Sequence, residues 1–250
     1  MDIGALIIGD ELLSGKRKDR HFSHLQSVLA QRGLELSWTI IIGDDVQQLQ
    51  RFLTFSLASD DLVFSFGGIG ATPDDRTRQS VAQAAQVSLT RHPKAVQEIE
   101  AQFGESAYPN RILMADLPEG SRIIPNPINR VPGFSFQHHH FMPGFPEMSW
   151  PMLDWILDTL YPALKNTVPD YEETIYVLNG RETDLVETMR FIDESYPNLR
   201  LSSLPHLGKP SHIELSLRGD QTDILEAMAI LKEAVNQAGF SWTNQLADNN

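Results

Sequence analysis

Three short apolar runs mark the first quarter of the chain: Ile3-Gly4-Ala5-Leu6-Ile7-Ile8, Leu36 to Ile42, and Leu62-Val63-Phe64-Ser65-Phe66. The first and third predict strands buried in a parallel sheet, and the second, β-branched, predicts another strand. Between them apolar residues recur at steps of three and four. Phe22, Leu25, Val28 and Leu29 make one helical stripe, closed by Gly33 as a stop signal. Val46, Leu49, Phe52, Leu53 and Leu57 make another, with Asp44 or Asp45 placed to cap it. A third helix begins near Thr77. The order β-α-β-α-β-loop-α predicts parallel strands with helices on both faces. Residues 88–120 read as a helix near Ala95 to Phe103 followed by irregular chain. The Pro- and Gly-rich stretch from Ile123 to Pro146 reads as edge strands and rigid loops, suited to the wall of a pocket. Met148 to Leu160 is apolar over much of its surface, which core burial explains, with a subunit contact to take the remainder.

From Tyr161-Pro162 to Val168-Pro169 the chain reads as a linker. Beyond it, strand-like Thr174 to Leu178, Leu199 to Leu204 and His212 to Leu217 combine with helical Asp184 to Ile192 and Ile224 to Val235. This β-α-β-β-α unit predicts a two-layer α+β domain. It holds no glycine-rich loop and no tight carboxylate or histidine cluster, and is expected to be a structural or oligomerisation module. The domain bounds are thus 1–165 and 170–250.

In wound parallel sheets ligands gather outside the carboxyl ends of the strands. Three segments fall there: Gly9-Asp10, Gly43-Asp44-Asp45, and Gly67-Gly68-Ile69-Gly70-Ala71-Thr72-Pro73-Asp74-Asp75-Arg76-Thr77. In the last, three glycines between a strand and a helix let bare amides approach a ligand, and two carboxylates follow in the same turn. One reading is a phosphate-bearing ligand on those amides, with a divalent cation bridging it to Asp74 or Asp75. The other is a tight turn whose Asp caps the helix. Convergence of the three segments at one rim favours the ligand.

Composition narrows the chemistry. Cysteine is absent, so any metal must use oxygen or imidazole ligands. The net charge of −13 is spread along the chain and argues against a nucleic-acid surface. Only Lys16-Arg17-Lys18-Asp19-Arg20 concentrates positive charge, enough for one anionic group or for a solvated loop. No apolar run nears the ~20 residues needed to span a bilayer, and no signal-peptide pattern opens the chain. A soluble cytoplasmic protein, with neither membrane nor nucleic-acid partner, is expected. His138-His139-His140 in an extended segment would place at most His138 and His140 on one face. His21 and His24, three apart on a helix, read as packing residues. No nucleophile elbow supports covalent acyl chemistry.

Gly9-Asp10-Glu11-Leu12-Leu13-Ser14-Gly15, the Gly67–Thr77 loop, and Met142-Pro143-Gly144-Phe145-Pro146-Glu147-Met148 resemble, in order and spacing, the molybdopterin-binding family. That family includes molybdenum-cofactor biosynthesis proteins and the N-terminal part of competence/damage-inducible protein A. The resemblance covers roughly residues 1–165, and the tail resembles the small α+β domain of the latter. It implies an α/β fold, a three-layer α/β/α domain with a mostly parallel sheet, followed by a small α+β domain. It also implies Mg²⁺ and a pterin or nucleotide ligand. Some members adenylylate molybdopterin with Mg²⁺-ATP; the competence/damage-inducible branch is associated with hydrolysis of ADP-ribose-like pyrophosphates.

Carried over by motif, metal and catalytic roles fall on Asp75 and on Asp44 or Asp45, and the reading of the loop itself adds Asp74 beside Asp75 as a metal ligand. Gly67, Gly68 and Gly70 would cradle phosphate. Asp10, Glu11, Thr72, Pro143 and Gly144 would complete the ligand site. The chain departs from the family at Ile69, where a hydroxyl residue is usual, and within Arg17-Lys18-Asp19-Arg20-His21, where an Asn is common. It departs again at Asn129-Arg130, where Arg130 could reach a phosphate or fill the pocket. Two readings follow: a Mg²⁺-dependent nucleotide pyrophosphatase or nucleotidyltransferase, or a non-catalytic binder with a degenerate site, in either case a homo-oligomer.

Overall fold

The computed structural model describes residues 2–166, 171–206, 208 and 211–246. The chain divides into two compact units, Met1–Thr167 and Val168–Asn250.

The first unit follows the alternating pattern. Strand β1 (Ile3–Ile8) leads through a single turn, α1 (Asp10–Leu13), to α2 (His21–Ala30). Then come β2 (Trp38–Ile42), α3 (Val46–Leu57), β3 (Leu62–Phe66) and α4 (Thr77–Ala84). Asp45, not Asp44, caps α3, its side chain accepting from the Gln48 amide at 3.0 Å. The segment expected to be irregular is more ordered than its composition suggests. Around α5 (Pro93–Phe103), the helix expected there, it holds β4 (Leu89–Arg91) and β5 (Asp116–Pro118), paired antiparallel as a small separate sheet. Their three-residue length leaves too little pattern for a strand to be read. Next follow β6 (Arg122–Ile124), β7 (Gly133–Phe136), β8 (His139–Met142) and α6 (Pro146–Leu160), the last starting on Pro146, which suits a first helical position.

The main sheet has the order β2-β1-β3-β8-β7-β6. The pairings β2–β1, β1–β3 and β3–β8 are parallel, and only β7 runs against its neighbours. Side chains alternate between two cores. Leu6 and Ile8 face Leu49, Leu53, Val81 and Ile99 on one side, while Ile3, Ala5 and Ile7 face Leu25, Leu29, Leu153 and Ile156 on the other. Hence α3, α4 and α5 cover one face and α2 and α6 the other, giving three layers. Fully burying each such side chain contributes roughly 1.5–3 kcal/mol, which holds the strand ends rigidly in place. The chain leaves β1 toward one face and β3 toward the opposite face, so a crevice opens between these neighbours at their carboxyl ends.

The second unit comprises β9 (Tyr171–Leu178), α7 (Val186–Ser195), β10 (Arg200–His206), β11 (His212–Gly219), α8 (Gln221–Gln237) and a short added strand, β12 (Ser241–Thr243). The sheet is antiparallel, in the order β10-β11-β9-β12. Ile175, Val177, Ile213 and Leu215 on one sheet face pack on Ile192, Ile224 and Leu231 of the helices, the expected two-layer arrangement. The expected linker is a 3-10 turn over Pro162–Asn166; its residues 167–169 lie outside the described residues. Among the described residues no helix is long and apolar enough to cross a membrane.

Candidate functional site

The parallel strands β1, β2, β3 and β8 all end at one rim, so Gly9, Gly43, Gly67 and Pro143-Gly144 are brought together there. The rim is knitted by backbone bonds: the Gly9 amide donates to Ile42 O at 3.0 Å, and the Gly67 amide to Met142 O at 2.9 Å. Gly67 adopts φ 108° and Gly68 φ 68°, conformations that cost little only in glycine. A Cβ on Gly67 would lie 2.2 Å from Ile8 O, and one on Gly68 would lie 2.2 Å from Thr77 Oγ1. The two glycines are therefore demanded by the protein's own packing, before any ligand is considered. Beyond them the amides of Gly68, Ile69, Gly70 and Ala71 donate to no protein acceptor among the described residues. Successive N–H groups without a protein acceptor are what an anion-binding concavity requires.

This loop is clamped from beneath. Thr77, fully buried, donates its hydroxyl to Gly67 O at 3.2 Å and its amide to Gly68 O at 3.0 Å. Arg78, only 3% exposed, donates to Gly70 O at 2.6 Å, to Asp116 O at 3.1 Å and also to Leu113 O. Burial lowers its pKa from the usual arginine value, opposed by Asp75 and Asp116. The guanidinium so joins the glycine loop to the wall that carries Met114. Nothing in the sequence distinguished Arg78 from an ordinary helix-surface arginine; only its burial does.

The acidic residues separate into different roles. Asp44 Oδ2 accepts from the Asp10 amide at 3.0 Å, and the Asp44 amide donates to Asp10 Oδ1 at 3.1 Å, a reciprocal brace between the ends of β1 and β2. Burial raises the Asp44 pKa above the ordinary carboxylate value, with the Asp10, Glu11 and Asp74 charges adding to it and the hydrogen bond from Asp10 opposing. Asp75 folds back onto its own turn, its Oδ2 taking the Thr72 amide at 2.9 Å and the Thr72 hydroxyl at 2.5 Å. The missing side chain of Gly70 leaves room for that carboxylate, 2.4 Å from where a Cβ would stand. The Thr72 hydroxyl beside it also holds the Asp74 carboxyl below its ordinary value.

A cleft of about 460 Å³ occupies the crevice. Of the residues singled out from sequence, Glu11, Asp44, Gly67, Gly68, Gly70, Thr72, Asp74, Asp75, Pro143 and Gly144 line it. Asp10 stands behind Asp44 as its brace, and Asp45 is spent on capping α3. Arg130 does not reach the cleft. It pairs instead with Glu98 at 2.8 Å on an exposed surface, while its neighbours Asn129 and Val131 line the wall. Ile69 is buried against the α3–α5 core and lines the cleft from that side. Phe103 and Met114 supply apolar wall that no motif announced, and Phe145 and Met148 of the third motif extend it.

The histidine triplet is corrected. Gln137 and His138 form the two-residue turn between β7 and β8, so the segment is not extended throughout. His139 and His140 are both buried, on opposite faces of the sheet. His139 Nε2 bonds Ser56 Oγ at 3.0 Å; His140 bridges Ser135 Oγ at 2.7 Å and Tyr161 OH at 2.9 Å. Among the described residues no three His, Cys, Asp or Glu side chains converge as a ready metal cage.

A wound sheet with a glycine loop and carboxylates at its switch point defines a ligand-binding α/β domain. Residues 4–166 match the family profile described as "Probable molybdopterin binding domain", and the chain belongs to that family. Its relatives include a CinA-like protein of Geobacter sp. (strain M21), 31% identical over 233 residues, which span 89% of this chain and 55% of that protein. A protein of Caldivirga maquilingensis is 27% identical over 247 residues, 93% of each chain. The crystal structure of CinA from Thermoplasma acidophilum, described as of unknown function, aligns with a TM-score of 0.58 at 25% identity, over 63% of this chain and 98% of that one. The chain spans about half the length of the CinA-like relatives it matches.

Proposed function

We propose that this chain binds a phosphate-bearing pterin or nucleotide in the rim cleft and acts on its phosphate or pyrophosphate linkage with the help of Mg²⁺. The observation that carries the reading is a juxtaposition. Four glycine-loop residues whose amides have no protein acceptor among the described residues line the same cleft as Asp44, Glu11 and Asp74, and Asp44 is an acid whose ionisation is opposed by burial and by those neighbours. Amides alone favour an anion; crowded carboxylates disfavour one. A cation between them reconciles the two.

The donor set suits a hard ion. All candidate ligands are carboxylate oxygens, and Mg²⁺ characteristically takes one or two carboxylates and fills its shell with water and substrate phosphate. Asp44 and Asp74 would hold it, with Asp75 alongside. When bound, the ion would neutralise the phosphate oxygens and polarise the linkage under attack. The chain's own part is positional: Thr77 and Arg78 fix the loop so its amides need not reorganise, and the apolar wall excludes water from the ligand's ring. Phosphoryl and nucleotidyl transfer require little more than such positioning and charge.

Thermal melting with ATP, ADP-ribose and molybdopterin, with and without Mg²⁺, tests binding. A ligand at a hundred times its Kd should stabilise the first unit by about 2.7 kcal/mol, and that gain should depend on the metal. In Asp44→Asn the metal dependence should vanish and any product formation, followed by chromatography, should fall on the order of a hundredfold. No stabilisation by any of the three ligands would overturn the reading. Binding without turnover would reduce it to a ligand-binding domain.

A further inference from the structure

A second cleft, of about 430 Å³, adjoins the first between the start of α2 and the start of α6, sharing Ile8, Glu11, Arg17, Gly144 and Phe145 with it. The two lobes differ in charge. The glycine-loop lobe is lined by four carboxylates and Arg17; the second is lined by Arg17, Lys18 and Arg20 against three carboxylates, Glu11, Asp19 and Glu147. Glu11 is shared with the first lobe, and the other two acids lie at helix starts. Asp19 accepts the amides of His21 at 2.9 Å and Phe22 at 3.0 Å, and Glu147 sits in the first turn of α6, where the helix dipole favours it. Arg20 is drawn over the Trp150 ring at 5.2 Å. Among the described residues Arg17 and Lys18 form no ion pair.

The loop that presents them is braced. The Arg17 amide donates to Glu11 O at 3.0 Å, and Gly15 turns the chain at φ 72°. The lobe's far side is tied as well, His21 stacking on Phe66 at 4.4 Å with its Nε2 3.2 Å from Gly144 O. In a chain of net charge −13, two cations without an ion-pair partner among the described residues, held at the lip of a cleft next to the glycine loop, suit a second anion.

We propose that Arg17 and Lys18 form an anion subsite in this second lobe, which takes a phosphate monoester carried by the ligand in addition to the group at the glycine loop. This rests on the reading of the first lobe as a phosphate-binding cleft. The favoured substrate class is then a nucleotide bearing a further phosphate away from its 5′-phosphate.

Isothermal titration of the full chain with two matched pairs tests it: AMP against adenosine 3′,5′-bisphosphate, and ADP-ribose against its 2′-phosphate. The member with the extra phosphate should bind about tenfold tighter, the worth of one good charge-assisted contact, and the margin should shrink as salt rises. Lys18→Ala, which touches only the second lobe, should reduce the margin, and Lys18→Glu should abolish it, while AMP and ADP-ribose keep their wild-type affinities. Lys18 is exposed on a loop, and an unchanged melting temperature verifies folding. Equal affinity within each pair for the wild type, or a margin that survives Lys18→Glu, would overturn the subsite. If that alone is wrong, AMP and ADP-ribose still bind and respond to Asp44→Asn. If the first-lobe reading is wrong, AMP, ADP-ribose and molybdopterin all fail to bind and both proposals fall.

Discussion

Gly67 and Asp44 illustrate what a single residue can and cannot announce. A glycine between strand and helix reads as an opening for a ligand, yet at Gly67 the space is taken by Ile8 O and the backbone already demands φ 108°. Gly67→Ala should therefore destabilise the first unit by at least about 1–3 kcal/mol through backbone strain, measured by urea denaturation, with loss of ligand-induced stabilisation as the loop shifts. Retained stability would mean that the crossing of β3 over the last carbonyl of β1 is looser than described. The adjacent acids Asp44 and Asp45 are chemically equivalent in sequence. A strand that ends one residue earlier or later exchanges which of them caps the helix and which faces the cleft, so their division of labour was not legible. Arg78 is the converse case: a charged residue in a polar-looking helix start that turns out to be buried and to hold three carbonyls.

At the scale of elements, the hairpin of β7 and β8 shows tertiary context overriding local chemistry. His139 and His140 look like a polar tip, but β8 lies inside the sheet beside β3, and burial pushes their pKa values down to about 4 and about 3. Both values fall below the unfolded 6.5, so the unfolded chain binds protons first. Their contribution to stability is complete above about pH 6.5 and is lost as the pH falls toward 4 and then 3. By pH 5 the loss should be about 2 kcal/mol for each histidine. Urea midpoints between pH 8 and pH 5 would reveal it, and His140→Gln should flatten the slope. A midpoint independent of pH over that range would refute the burial of both rings as neutral imidazoles. The strands and helices around them were largely readable, because long stripes and apolar runs are set by burial itself. The three-residue strands β4, β5 and β12 were not, since their pairing depends on partners distant in sequence.

For the whole molecule, the two hydrophobic cores of the first unit share the strands between them, while the core of the second unit is built from its own elements alone. Leu215→Ala in the centre of β11, fully buried, should cost about 2–5 kcal/mol in unfolding of the second unit, while ATP affinity measured by titration stays at its wild-type value. A changed affinity would place part of the ligand site under the second unit's control.

Most of the architecture was legible in the chain: the alternation of apolar runs and helical stripes requires a wound sheet, and such a sheet collects its ligand loops at one rim. Family membership was legible too, since the glycine loop and its two companion motifs keep their order and spacing. The tertiary structure alone decided which of several like residues does what. It turned Asp44 into the cleft and Asp45 onto a helix, sent Arg130 to Glu98, buried Arg78 and two histidines, and opened the second lobe beside Arg17 and Lys18. Periodicity records only whether a side chain faces the core or the solvent. Which polar groups meet depends on where strands end and loops cross, and those are properties of the packed sheet.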